Sequence, residues 1–176
     1  MNKLHNNFAV NAIASIFAQN QKLGWHDEPR STAQYIDLFH SELSEATEGL
    51  RKNLMDDKLP VWPMWVVEFA DYIIRVFDYM GLCRYEWGDT KGIKFFEPID
   101  IETDIANLHM LTSEAWLHRG SEILFYQLQR AVLLAWDSGE KAGYDMELII
   151  AAKVEYNQNR PDHKRDARKQ PGGKAW

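Results

Sequence analysis

Apolar residues recur at helical intervals along most of this chain, and glycine, proline and polar stretches divide the pattern into six segments. Ala12, Ile13, Ile16, Phe17 and Leu23 predict a helix over Val10–Leu23 that Gly24 ends. Ser31 or Thr32 is placed to cap a second helix, whose stripe of Ile36, Phe39, Leu43, Ala46 and Leu50 runs to about Lys52. Asn53 to Pro63 reads as a connection. Met64–Met80 is apolar almost all round, so it is expected at the centre of the fold, with Gly81 as its stop. Three more helical patterns cover Ile101–Leu117, Ser121–Trp136 and Asp145–Asn157. No segment alternates polar and apolar residues for long, so strands are not expected.

Six helices with short connections imply an all-α fold with a four-helix-bundle-type core and additional helices. The 176 residues fit one domain over residues 1–160, followed by an irregular basic tail over residues 161–176 that contains His163, Lys164, Arg165 and Lys174. Gly88 to Pro98 reads as a loop. Within the domain, about 85–144 is either an insertion or an enlargement of the bundle.

Composition narrows the function. A formal net charge of −6 argues against a nucleic-acid partner, which would call for clustered Lys and Arg. No apolar run is long enough to span a membrane. Met1 to Gln19 does not read as a signal peptide, and the single cysteine, Cys83, closes no intramolecular disulfide. These features together suggest a cytoplasmic protein. Cys83 itself reads as a small buried hydrophobe.

The candidate chemistry lies in two acidic pairs. Glu42 and Glu45 are three residues apart, and therefore share a helical face distinct from the apolar stripe. Alone they are indistinguishable from a solvated face, which is how Glu48 is read. Glu68 and Asp71 say more, because they interrupt Trp65-Val66-Val67, Phe69-Ala70 and Tyr72-Ile73-Ile74. Carboxylates on so apolar a helix must be paired, protonated or metal-bound. One outcome is a helical Asp71–Arg75 ion pair with Glu68 at the bundle edge. The other is an antiparallel packing of the two helices that gathers Glu42, Glu45, Glu68 and Asp71 around a hard cation, Mg²⁺ or Mn²⁺. No Cys/His cluster suits zinc, and no histidine completes a di-iron pattern. His40 reads as a polar or interface residue.

Leu38-Phe39-His40-Ser41-Glu42-Leu43-Ser44-Glu45-Ala46, followed by Glu68-Phe69-Ala70-Asp71, resembles the MazG-like, all-α nucleoside triphosphate pyrophosphohydrolase superfamily, particularly its phage and bacterial members. The resemblance covers about Asn11 to Tyr79 and resumes near Lys153. The extra acid that often precedes the first glutamate is replaced here by Ser41. The resemblance implies that Glu42, Glu45, Glu68 and Asp71 bind Mg²⁺, with Mn²⁺ a possible substitute. It implies cleavage of a nucleoside triphosphate between the α and β phosphates by in-line attack of a metal-activated water, with a glutamate such as Glu45 taking the proton. Lys153, Asn157 and Arg160 resemble the late Lys/Asn/Arg element that contacts phosphate or nucleotide in related enzymes, although cations there would also complement a helix dipole. Trp25, between the first two helices, is placed either to stack on a base or to pack internally. Family members whose sites lie between subunits imply a homo-oligomer, a dimer or tetramer. The competing reading is a non-catalytic helical interaction module. No glycine pattern suits a dinucleotide or P-loop site, and no nucleophile has an identifiable base.

Overall fold

The structure, a computed structural model, describes Leu4 and residues 6–88, 96–161 and 165–168. Ile93, Phe95, His163, Lys164 and Lys174, together with Gly172 and Gly173, lie outside the described residues. The described chain is all-α: α1 (Asn6–Lys22), α2 (Thr32–Lys52), α3 (Met64–Leu82), α4 (Ile101–Leu117), α5 (Ile123–Lys141), α6 (Met146–Asn159) and a short α7 (Arg165–Arg168). No helix among the described residues is long and apolar enough to cross a membrane.

Local chemistry fixes α2 at both ends. Ser31 Oγ accepts from the Gln34 amide at 3.3 Å while Gln34 Oε1 accepts from the Ser31 amide at 2.8 Å, a capping box that satisfies two donors at the helix start. At the other end Asn53 adopts the left-handed conformation (φ 50°), and the Leu54 amide bonds back to Gly49. An isolated antiparallel bridge between Met55 and Pro63 then closes the connection to α3. Gly49 lies so close to the start of α3 that a Cβ there would stand 2.7 Å from the Cβ of Met64. Glu42 meets Arg75 farther along, and Thr32 meets Tyr79 at the far end. As the α2 position falls, the α3 position rises, so the two helices are antiparallel.

Every residue of α3 from Trp65 to Met80 is buried except Arg75. Its neighbours are α1, α2, α5 and α6, which makes it the axis of the core, as its composition leads one to expect. Phe69, Tyr72 and Phe77 are fully covered. Burial of a large apolar side chain of this kind contributes about 1.5–3 kcal/mol. Helices α4 and α5 pack on each other and contribute Leu108, Leu111, Leu128 and Leu133 to the same core, and Tyr72 Oη shares a buried 2.9 Å hydrogen bond with Thr112 Oγ1 on α4.

Several helix boundaries differ from the sequence reading by a few residues, α1 starting at Asn6 and α6 ending at Asn159 among them, and at two of them small residues explain the difference. Gly81 does not stop α3; the helix runs on to Leu82, and the glycine admits α1, since a Cβ would fall 2.5 Å from the Cβ of Phe17. Helix α5 continues past Trp136 to Lys141. Its polar last turn looks like a loop in sequence, but Ser138 is buried and donates to Asp104 Oδ2 at 2.7 Å, while Gly139 makes room for Met146.

Candidate metal centre

Antiparallel packing of α2 on α3 brings the acidic pairs together unequally. Glu42, Glu68 and Asp71 are all buried, and each offers a carboxylate oxygen within 4.8 Å of the others. Glu45 is exposed and lies outside that group, although it is near enough to push the pKa of both Glu42 and Glu68 upward. One turn of helix separates a covered glutamate from a wet one on the same face.

Two cations already neutralise part of this charge. Arg75 Nε donates to Glu42 Oε1 at 3.1 Å, so the arginine reaches across to α2 rather than back along its own helix, and no Asp71–Arg75 ion pair forms. Lys153 Nζ, delivered by α6, lies 2.8 Å from Asp71 Oδ2 and 3.9 Å from Asp56 Oδ2. Burial opposes the Lys153 cation, but Asp71 first, and then Glu68 and Asp56, hold its pKa above the usual lysine value. Asn157 Nδ2 adds a longer hydrogen bond to Asp71 Oδ1 at 3.4 Å, and its own Oδ1 is buried without a partner.

Glu68 is different. It is only 5% exposed and makes no hydrogen bond or ion pair with the described residues. Burial and the neighbouring Asp71 push its pKa up to about 9. Burial also raises Glu42, against the opposing pull of Arg75. Among the described residues, the ion pairs of Glu42, Asp71 and Asp56 are with Arg75 and Lys153, and the surplus negative charge favours the protonated form of Glu68. A hard divalent ion would remove that proton and take oxygen ligands from two rigid helices, which is the donor set Mg²⁺ favours.

The remaining sequence candidates fall as follows. Lys153 and Asn157 reach the acids, whereas Arg160 ends α6 with its guanidinium over Tyr156, 5.6 Å from the ring centroid. Trp25 is 4% exposed, with Arg30 and Arg75 over its ring at 5.4 and 5.8 Å. It lines a recess beside the cluster with Gln19, Arg75 and Asn157. At about 20 Å³ that recess has room for one water molecule, not for a base. His40 is directed away from the acids to His109 on α4, with Nδ1 atoms 2.9 Å apart and ring planes within 9°. The 5.1 Å centroid separation is what this N–N distance and two ring radii add up to, so the imidazoles meet edge to edge across a hydrogen bond.

Three participants carried no periodic signal. Asp56 sits in the α2–α3 connection, where its Oδ1 accepts from the Lys58 and Leu59 amides at 2.9 and 2.6 Å and its other oxygen faces Lys153. An aspartate before a tight turn is visible in sequence, but only as a turn former. Asp78 Oδ1 and His26 Nε2 lie at hydrogen-bond distance, 2.9 Å, toward the far end of α3.

No family model, curated protein or solved structure matches this chain.

Proposed function

We propose that this protein is a Mg²⁺-dependent nucleotide pyrophosphohydrolase that converts a nucleoside or deoxynucleoside triphosphate to the monophosphate and pyrophosphate. The observation that carries the reading is the convergence of Glu42, Glu68 and Asp71 from two antiparallel helices, with a buried, unpartnered Glu68 among them. The motif resemblance in α2 and α3 supplies the reaction, and the all-α architecture agrees with a MazG-like bundle in which α4 and α5 are the additional helices.

Glu42, Glu68 and Asp71 hold the ion, with Mn²⁺ an acceptable substitute. When bound, the ion neutralises triphosphate charge and lowers the pKa of water. Arg75 fixes the carboxylate of Glu42, and Lys153 and Asn157 fix that of Asp71, so the ligands are oriented by their own partners. Glu45, exposed at the edge of the cluster, takes the proton from the attacking water. The water oxygen bonds to the α phosphorus, the bond from that phosphorus to the bridging oxygen breaks, and pyrophosphate leaves. On this reading the protein is cytoplasmic and works as a dimer or tetramer, which light scattering would show directly.

A panel of nucleoside and deoxynucleoside triphosphates with Mg²⁺, assayed for pyrophosphate, tests the assignment. Release of pyrophosphate and monophosphate from at least one member, lost in Glu68→Gln, supports it. A chain that releases none, and whose nucleotide binding does not tighten with Mg²⁺, is instead a non-catalytic helical module.

A further inference from the structure

A fourth buried acid stands beside the metal centre and has no part in the proposed reaction. Asp56 is 3% exposed and lies outside the group of Glu42, Glu68 and Asp71 whose oxygens converge. The connection between α2 and α3 mounts it firmly. Its amide donates to the Trp62 carbonyl at 3.0 Å, the adjacent Met55 bridges to Pro63, and its Oδ1 accepts from the amides of Lys58 and Leu59. Oδ2 is left for a partner from outside the turn. Among the described residues, the cation paired with it is Lys153, whose Nζ lies 3.9 Å away.

The same ammonium lies 2.8 Å from Asp71 Oδ2. Lys153 therefore stands between two carboxylates, closer to the one that the proposed metal needs. Until an ion arrives, it holds Asp71 in place. A divalent ion on Asp71 weakens that carboxylate's hold on Lys153 and repels the ammonium. Yet Lys153 is only 4% exposed, and a buried ammonium without a partner is costly. With so little of the side chain at the surface, its charge has to be received inside the protein. Asp56 Oδ2 is the acceptor within reach.

We infer that Asp56 is a positioning residue of the metal centre, drawing Lys153 off Asp71 when a divalent ion takes that carboxylate. Asp56 in this role touches neither ion nor substrate; it acts through Lys153, and only if Glu42, Glu68 and Asp71 hold a cation as proposed. Its two oxygens also separate this role from that of a turn former. Asp56→Asn keeps the Oδ1 acceptor for both amides and turns an N–H donor, in place of an anionic oxygen, toward Lys153.

Mn²⁺ titrations of the full, metal-free chain, followed by the free-ion electron paramagnetic resonance signal, test this in four proteins: wild type, Asp56→Asn, Lys153→Met and the double variant. Asp56→Asn should weaken Mn²⁺ binding about tenfold, because Lys153 then has Asp71 alone. In the Lys153→Met background the same change should weaken it by less than about threefold. Should Lys153→Met lose its helical circular dichroism, Lys153→Gln, which keeps an N–H donor for Asp71, supplies the background without the charge. An equal loss in both backgrounds means that Asp56 acts on the ion directly or through the fold, and would overturn the role assigned to it. Unchanged Mn²⁺ affinity of Asp56→Asn would overturn it too. Absence of Mn²⁺ binding by the wild type would instead overturn the cation site itself, and this role with it.

Discussion

Carboxylates gather in two regions of this molecule, and the difference between them lies in what surrounds each. At the α2–α3 contact, Glu42, Glu68 and Asp71 converge within 4.8 Å, sealed by α6 and partly balanced by Arg75 and Lys153. Around the α5–α6 turn, Glu140, Asp145 and Glu147 stand apart on a rim walled by Phe8, Trp136 and Tyr144, and no described cation lines it. Convergence and burial make the first region electrostatically frustrated and push the Glu68 pKa up to about 9. Acidic residues alone do not mark a hard-ion site; their spacing and burial do.

The largest expected effect separates the regions by activity. Glu68→Gln and Asp71→Asn should lower Mg²⁺-dependent pyrophosphate release by about a thousandfold while circular dichroism still reports a helical fold. Glu147→Gln should leave that release unchanged.

Stability without metal gives the next contrast. Lys153→Met strips Asp71 and Asp56 of their shared cation, and removing one partner of so buried a pair costs about 3–5 kcal/mol in urea unfolding. Added Mg²⁺ should recover part of that loss. If Lys153 served only to bind substrate phosphate, the metal-free variant would unfold at the wild-type midpoint.

The acidic cluster should also carry a pH signature. The folded pKa of Glu68, about 9, lies above its ordinary value of 4.5, so the fold favours the protonated form. Its stabilising contribution is complete below pH 4.5 and is lost as pH rises toward and through about 9. Metal-free protein should therefore lose stability across that window, Glu68→Gln should flatten the slope, and metal binding should release protons, read from the buffer dependence of the binding heat. The smallest effect concerns Arg160, which lies over Tyr156 at the end of α6: Arg160→Ala should change KM by less than about threefold.

Much of this was legible from residue spacing. The apolar face of α2, the capping serine and the almost uniformly apolar α3 define the antiparallel pair, and the intrusion of Glu68 and Asp71 into α3 marks the cluster. What spacing cannot show is which of two residues on one face is covered: Glu42 lies under Arg75 while Glu45, one turn on, stays wet. Arg75 was readable as a helical neighbour of Asp71, yet the approach of α2 offered it Glu42 instead. Asp56 lies in a connection without periodicity, and α6 brings Lys153 to it only through tertiary packing. Gly81 reads as a breaker because sequence does not reveal that a neighbouring helix needs its missing Cβ atom.

The central claim, that the α2–α3 acids form a divalent-cation site, is tested most directly by titrating Mn²⁺ into the metal-free protein and following the free-ion signal by electron paramagnetic resonance. Saturable loss of that signal, competed by Mg²⁺ and abolished in Glu68→Gln and Asp71→Asn but not in Glu147→Gln, is the predicted result. An undiminished Mn²⁺ signal, or equal binding by the Glu68 and Asp71 variants, would contradict it.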